Sequence, residues 1–444
     1  MEDRKLFKIL LRNKDTVYGR QYGFPSIKNI ADFQKKLPIT TYEDYIPYIE
    51  NIKNGGKNIL TSEPVLLLEP SSGTASAKKF IPYTKGLKRE FSSAIGKWLW
   101  DLNKNFPRLK YGQFYFSITP QTVQNEGIVG FNGDDEYIGG FLGRFIANKF
   151  CVPNSVKNIT DMDEFWSATI NHIKNSKKLR FVSIWNPSFL LIMLEKAKMT
   201  PKELFPGLEL ISCWADGNSK PLAEKLQNTF PDVYIQPKGL LATEGIMTIP
   251  IEGVGKRLTN VHFFEFIDKN GSVRLKDELA AGEDYEIVLT TSGGLYRYNI
   301  GDIVRYNGNY CFDFIGKSGN VSDYYGEKLN EVHVRRVIAG TGFRLLAPNG
   351  NKYTLYAEED IDIDVIEKGL RENFHYDYCR KIGQLEKVQF KKVQNGERQY
   401  IDNCLRFGMR LGDIKPVYLS NKEGWEFFPD NLKLSGNIDE YTLL

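Results

Sequence analysis

The chain has 444 residues, 41% apolar and 26% charged, and a formal charge of +4 at neutral pH. These are the proportions of a globular protein with enough chain for two or three domains. The near balance of charge argues against a dedicated nucleic-acid binder, which concentrates basic residues on one face. Five scattered cysteines with no CxxC pair argue against a disulfide framework, and four dispersed histidines offer no zinc-ligand spacing. The start, MEDRKLFKILLRNKDTVYG, carries charges inside what a secretory signal would need as an apolar segment. Reduced thiols and the absence of a long uncharged apolar stretch lead to the expectation of a cytoplasmic protein that engages no membrane.

In chain order, residues 1–60 read as mainly helical. From there, strand-like runs alternate with amphipathic stretches: PVLLLEP, YGQFYFSI, LRFVSIW, LELISCWADG and VYIQPKG as strands, TKGLKREFSSAIGKWLWDLNK and KPLAEKLQNTF as helices. That alternation predicts an α/β fold built around a sheet with parallel character. After about residue 260 the runs HFFEFID, YEIVLTT, LYRYNI, DIVRYNG and YCFDFIG are closely spaced, which predicts hairpins. The expected organisation is a large domain over 1–316, a polar linker over 317–328 and a small α+β domain over 329–444. In that last part helices are predicted near 331–338, 362–373 and 401–410, with strands near YTLYAE, EKVQFKKVQ and KPVYL.

Three stretches carry candidate chemistry. SSGTASAKKFIPYT (71–84) follows an apolar strand. Its Ser71, Ser72 and Thr74, with glycine and lysines, suit a phosphate cradle of hydroxyl and backbone donors, while a solvated turn is the commoner role of such a cluster taken alone. GLLATEG (239–245) offers a hydroxyl at Thr243 for phosphate and a carboxylate at Glu244 for Mg²⁺; a capped helix start is the plainer alternative. In GLYRYNIGDIVRY (294–306), Asp302 can accept hydrogen bonds from a ribose diol, or belong to an ordinary Asp turn. Tyr296, Arg297 and Tyr298 are expected to alternate between core and exterior. The tripeptide at Gly316–Ser318 mimics a P-loop, but the motif's first glycine position holds Cys311, so a P-loop nucleotidase is not expected.

The order SSGT…K…IP, ATEG, YRYNIGD resembles the acyl-adenylate-forming superfamily of acyl-CoA synthetases, luciferases and peptide-synthetase adenylation domains. Within it, TVYGRQYGF, FQKKLPITTYEDYIPYIENIKNG, FPGLELISCWADG and GLLATEG resemble the Gretchen Hagen family, the auxin-responsive acyl acid–amido synthetases of plants and their bacterial relatives. The resemblance covers most of residues 8–330, and more loosely the remainder through IDNCLRFGMRLGDIKPVYL. It implies a large adenylate-forming domain with layered sheets and a small mobile C-terminal lid. It further implies that Ser71, Ser72 and Thr74 hold ATP phosphates, Thr243 the α-phosphate, Glu244 Mg²⁺ and Asp302 the ribose. Lys317 or Lys328 would approach the nucleotide from the hinge, and Lys415 would match the mobile catalytic lysine. Leu240 departs from the family, standing where many relatives carry an aromatic residue against adenine, and Ala75-Ser76-Ala77 replaces extra glycine in the phosphate loop.

The expected reaction is ATP- and Mg-dependent activation of a small carboxylic acid, then transfer of the acyl group to an amine, with an amino acid as the family's typical acceptor. Transfer to coenzyme A or a carrier thiol, and a non-catalytic nucleotide-binding relative, are the alternatives. A monomer is the simplest expectation. Trp185 and Trp214, each where a strand gives way to a turn, are the candidates for the acyl pocket, with Trp98 and Trp100 as a further wall.

Overall fold

The computed structural model of the chain describes residues 2–71, 79–117, 149–159, 161–319, 321–322, 324–325, 327–381, 383–409, 411 and 414–428. The chain divides into two units, Met1–Ile315 and Gly316–Leu444.

The first unit opens with helices Glu2–Arg12, Val17–Gln21, Ile30–Lys36 and Tyr42–Lys53. Short polar residues start them: Thr16 accepts from the Gly19 N–H and Asn29 from the Asp32 N–H, satisfying donors a helix start leaves open. Their apolar stripes bury Leu6, Phe33 and Tyr45. Strand β1 (Val65–Ser71) then pairs antiparallel with β2 (Lys79–Thr84), with Ser71 opposite Lys79. Thr84 ends β2 and caps the long helix Lys85–Asn105, accepting from the Leu87 N–H. That helix buries Leu87, Phe91 and Trp98 but exposes Trp100. Trp98 and Trp100 therefore do not form one wall, because residues two apart on a helix do not share a face.

Strands β3 (Gln113–Phe116), β4 (Leu179–Ser183), β5 (Leu210–Cys213) and β6 (Tyr234–Pro237) form an all-parallel sheet in that order. Helices Met162–Asn175, Ser188–Ala197 and Lys220–Thr229 lie between successive strands, as parallel pairing demands. Phe181, Val182, Leu210 and Ile211 are buried on both faces of the sheet.

The chain then turns antiparallel. Short hairpins β7 (Leu241–Ala242)–β8 (Gly245–Ile246) and β9 (Thr248–Ile251)–β10 (Gly255–Leu258) come first. Strands β11 (Phe263–Ile267), β12 (Val273–Arg274), β13 (Asp284–Thr290), β14 (Tyr298–Tyr306) and β15 (Phe312–Lys317) build a five-stranded sheet ordered β12-β11-β13-β14-β15. LYRYNI and DIVRYNG, read as two strands, share the single strand β14. Its register to β13 slips, with Ile303 opposite Glu286 but Asn299 opposite Val288. Gly301 lies in that bulge at φ +72°, a backbone conformation that only glycine adopts freely. Tyr296, Arg297 and Tyr298 do not alternate in and out; all three are buried.

In the second unit β16 (Val321–Ser322) pairs with β17 (Leu329–Asn330). A three-stranded sheet of β18 (Arg344–Asn349), β19 (Lys352–Ala357) and β20 (Gln389–Lys392) packs with helices Glu331–Ile338, Ile363–Leu370, Phe374–Lys381 and Gly396–Arg406. Leu329, Ile338, Leu355 and Leu370 lie at its core. The polar stretch after Lys317 is not featureless: buried Glu327 accepts from the Tyr324 and Tyr325 N–H groups and from the Tyr353 hydroxyl. KPVYL is not a strand and meets the sheet at one bridge, Leu346–Leu419; Pro416, lacking an N–H, cannot extend a ladder. Among the described residues no helix is long and apolar enough to cross a membrane.

Candidate active site

Thr243 and Glu244 are not at a helix start. Ala242 pairs with Gly245, so Thr243 and Glu244 form the two-residue turn of the β7–β8 hairpin. The hairpin is tied down from three sides. Tyr83, on β2, donates its hydroxyl to the Thr243 carbonyl at 2.6 Å, joining the strand pair that flanks SSGT to the turn. Before the hairpin, Gly239 passes so close to β9 that a Cβ there would lie 2.1 Å from the Thr248 carbonyl oxygen. After it, the Ile246 N–H donates to His262 Nε2 at 3.1 Å. A ring nitrogen that accepts carries no proton, so the His262 proton is on Nδ1, which faces Glu90 Oε2 at 3.1 Å.

Glu90 is itself buried and receives the Ser292 hydroxyl at 2.7 Å and the Lys5 ammonium at 3.3 Å. Burial pushes the Glu90 carboxyl up, but His262, Lys5 and Ser292 outweigh it and hold the group below its ordinary value. Neither Glu90 nor His262 stands in a recognisable motif. A lone glutamate on an amphipathic helix reads as a solvated residue until the fold brings His262 to it.

Glu244 is buried, and its negative charge is felt by Tyr298 at the start of β14. Burial first, and Glu244 second, push the Tyr298 phenol well above its ordinary value. Asp302 follows four residues later on the bulged part of β14 and is also buried. The ATEG and YRYNIGD motifs thus converge, and Tyr83 joins the SSGT strand pair to them. Ser71 is the last residue of β1; Ser72 and Thr74 lie outside the described residues. Leu240 donates its N–H to Thr248 Oγ1 at 2.7 Å and packs against the core.

Arg297 is a structural residue. Its Nε and Nη2 clasp the two carboxylate oxygens of Glu265 at 2.9 and 3.0 Å, and Nη1 donates to the Gln34 and Leu37 carbonyls at 2.9 and 2.6 Å. TVYGRQYGF and FQKKLPITTYEDYIPYIENIKNG serve the same region: Tyr18 of the first stacks on Tyr296 with ring centroids 5.0 Å apart, and the Tyr296 N–H donates to Oη of Tyr45 in the second at 2.7 Å. Both motifs thus support the start of the Asp302 strand.

At the carboxyl end of the parallel sheet, Trp185 and Trp214 come together with ring centroids 5.7 Å apart. The Lys238 ammonium lies 4.9 Å from the Trp185 ring centre and 5.3 Å from that of Trp98, and donates to Ser183 Oγ at 2.6 Å. Lys238, beside a strand end in VYIQPKG, has no signal in the sequence that separates it from other lysines. Lys317 ends β15, exposed Lys328 has a left-handed backbone at φ 44°, and the Lys415 carbonyl accepts from Tyr400 Oη at 2.6 Å; all three belong to the second unit. Among the described residues no three His, Cys, Asp or Glu side chains are grouped to hold a metal by themselves.

Residues 1–199 match the GH3 family N-terminal domain, and residues 256–316 match the GH3 family central domain. The jasmonoyl–L-amino acid synthetase JAR4 of Nicotiana attenuata is 26% identical over an alignment of 385 residues that covers 69% of this chain and 66%, just under two thirds, of that protein's length. The indole-3-acetic acid-amido synthetase GH3.4 of Arabidopsis thaliana is 24% identical over 443 residues, covering 81% of this chain and 74% of the relative. Among solved structures, that of the AtGH3.15 acyl acid amido synthetase in complex with 2,4-DB superposes with a TM-score of 0.79 at 18% identity, over 95% of this chain and 91% of that one. A 2-hydroxyisobutyryl-CoA ligase in its postadenylation state has the same fold at a TM-score of 0.58 and 12% identity, over 88% of this chain and 85% of that one. With both family domains matched in sequence and the fold shared over nearly its whole length, the chain belongs to the GH3 family.

Proposed function

We propose that the chain is an acyl acid amido synthetase: it activates a carboxylic acid with ATP as the acyl-adenylate, then passes the acyl group to the amino group of an amino acid. The observation that carries this reading is the tie between motifs distant in sequence, through the Tyr83–Thr243 hydrogen bond and the proximity of Glu244 to Tyr298.

Activation sets one anion, the carboxylate, against another, the α-phosphate. Fixed donors aimed at developing charge lower that barrier, and alignment of both reactants lowers the entropic part. In this reading Ser71, Ser72 and Thr74 hold the ATP phosphates, Thr243 donates its hydroxyl to the α-phosphate, and Asp302 accepts from the ribose hydroxyls. Glu244 fits Mg²⁺: a buried carboxylate, with no three His, Cys, Asp or Glu side chains grouped as a cage among the described residues, suits an ion that takes one or two protein carboxylates and fills its shell with phosphate and water. Bound there, Mg²⁺ would offset phosphate charge. Trp185 and Trp214 line the acyl pocket. The second unit serves as the lid, with Lys415 meeting phosphate during adenylation and Lys317 or Lys328 approaching the nucleotide; excluding water protects the mixed anhydride from hydrolysis.

ATP–[³²P]pyrophosphate exchange with Mg²⁺ across aryl, indolyl and fatty acids tests the first half. Acid-dependent exchange is the expected result, and ATP binding without exchange for any acid would overturn catalysis. Adding amino acids against coenzyme A to the active acid then separates amide formation from thioester formation.

A further inference from the structure

Register across the parallel sheet sets two rows of side chains on one face. Ser183 on β4 is opposite Ser212 on β5, which is opposite Gln236 on β6. Two residues further along each chain stand Trp185, Trp214 and Lys238, and side chains two apart in an extended chain share a face. The contacts agree: Lys238 reaches back to Ser183, and Trp98 on helix Lys85–Asn105 donates its indole N–H to Gln236 Oε1 at 2.9 Å.

The inner row is unusual for a core. Ser212 is fully buried and Gln236 is 2% exposed, yet Ser212 Oγ and Gln236 Nε2 have no hydrogen-bond partner. Buried donors left unmade carry a desolvation penalty that a bound acceptor relieves. Next along the strands come Trp185 and Trp214, their rings tilted against each other, and the Lys238 cation lies within 5.3 Å of the Trp98 ring centre and 4.9 Å of that of Trp185. From Lys238 the chain continues through Gly239 directly into the hairpin whose turn is Thr243–Glu244.

We infer that this two-row cluster selects the acid: it takes an aromatic carboxylic acid bearing a hydroxyl or carbonyl oxygen on its ring, and discriminates against unsubstituted aryl acids and saturated fatty acids. This rests on the adenylation reading above. The ring lies against the indoles, its oxygen substituent accepts from Ser212 Oγ and Gln236 Nε2, and the carboxylate points back towards Lys238. A saturated tail would fill the space but leave both donors unbonded. A site that donates to a substrate oxygen rejects the analogue lacking it more strongly than an apolar pocket rejects one methylene.

The test uses the full chain and matched acids: 3- and 4-hydroxybenzoate against benzoate, 4-hydroxycinnamate against cinnamate, with hexanoate and decanoate as aliphatic probes. Binding is read by calorimetry and activation separately by ATP–pyrophosphate exchange. The expected result is that at least one hydroxyl-bearing acid binds about tenfold or more tightly than its unsubstituted partner. The preference should fall below about threefold in Gln236→Leu and in Ser212→Ala, while Lys238→Met weakens all acids and keeps the ratio. If Gln236→Leu does not fold, as judged by its melting curve, Ser212→Ala decides. Equal binding of the matched pairs, tighter fatty-acid binding, no binding of any acid, or a preference unchanged in the folded variant would each overturn the inference. Preference in binding without exchange would uphold it and sink the adenylation reading; exchange without preference would do the reverse.

Discussion

The Arg297–Glu265 pair gives the most direct check on how the Asp302 strand is held. Their side chains are 5% and 1% exposed, and the guanidinium makes two bonds to the carboxylate and two to backbone carbonyls. Gln34 adds a further donor to Glu265 Oε1 at 2.9 Å. Glu265→Leu would leave a buried cation without its counter-charge, which costs about 3–5 kcal/mol. Arg297→Met would strand the carboxylate and free the Gln34 and Leu37 carbonyls, a loss of similar size. The double variant removes both charges, so its cost falls to the orphaned Gln34 amide and the two carbonyls, each about 1–3 kcal/mol and partly relieved by water. The two single-variant costs should therefore not add, leaving a coupling of about 2–3 kcal/mol between the two sites. Calorimetric melting of the full chain reads this as a drop of about 6–10 °C in each single variant and a double variant that loses clearly less than the sum of the two. Single variants that melt within about 2 °C of the parent, or a double variant whose loss equals the sum, would refute the account.

Other outcomes separate the site's proposed parts. Asp302→Ala should raise the KM for ATP by about 10–100-fold at saturating Mg²⁺, consistent with the loss of one or two hydrogen bonds to a charged acceptor, whereas Glu244→Gln should shift the Mg²⁺ concentration needed for exchange. An Asp302→Ala chain with an unchanged ATP KM would remove it from the nucleotide site. Lys415→Ala should slow adenylate formation while leaving transfer from preformed adenylate intact; full adenylation by that variant would exclude Lys415. Acid stability should depend on Glu90. Its carboxyl is held below the ordinary 4.5, so its stabilisation is complete above that value and lost as pH falls through the depressed one. Melting temperature against pH should therefore fall more steeply below about pH 4.5 in the parent than in Glu90→Gln, and parallel curves would count against the His262–Glu90–Lys5 arrangement.

Much of the molecule was legible from residue order. The strands PVLLLEP, LRFVSIW and LELISCWADG and the long helix after IPYT followed from apolar period alone, because local pattern decides whether a segment can bury one face. The three motifs in sequence order carry the resemblance to adenylate-forming enzymes, and the chemistry expected of hydroxyl donors, a metal-binding carboxylate and a ribose acceptor came from that resemblance. What local pattern cannot carry is pairing. That Thr243 and Glu244 form a hairpin turn depends on Ala242 meeting Gly245, and that Asp302 sits on a bulge depends on β14 slipping against β13. Arg297 looked like one exposed residue in an alternating strand; only its clasp with Glu265, from a strand more than thirty residues earlier, makes it core. Ser183, Ser212 and Gln236 are unremarkable polar residues in three separate segments. They become a row, and acquire a shared chemistry with Trp185, Trp214 and Lys238, only because parallel strands align residues far apart in the chain on one face.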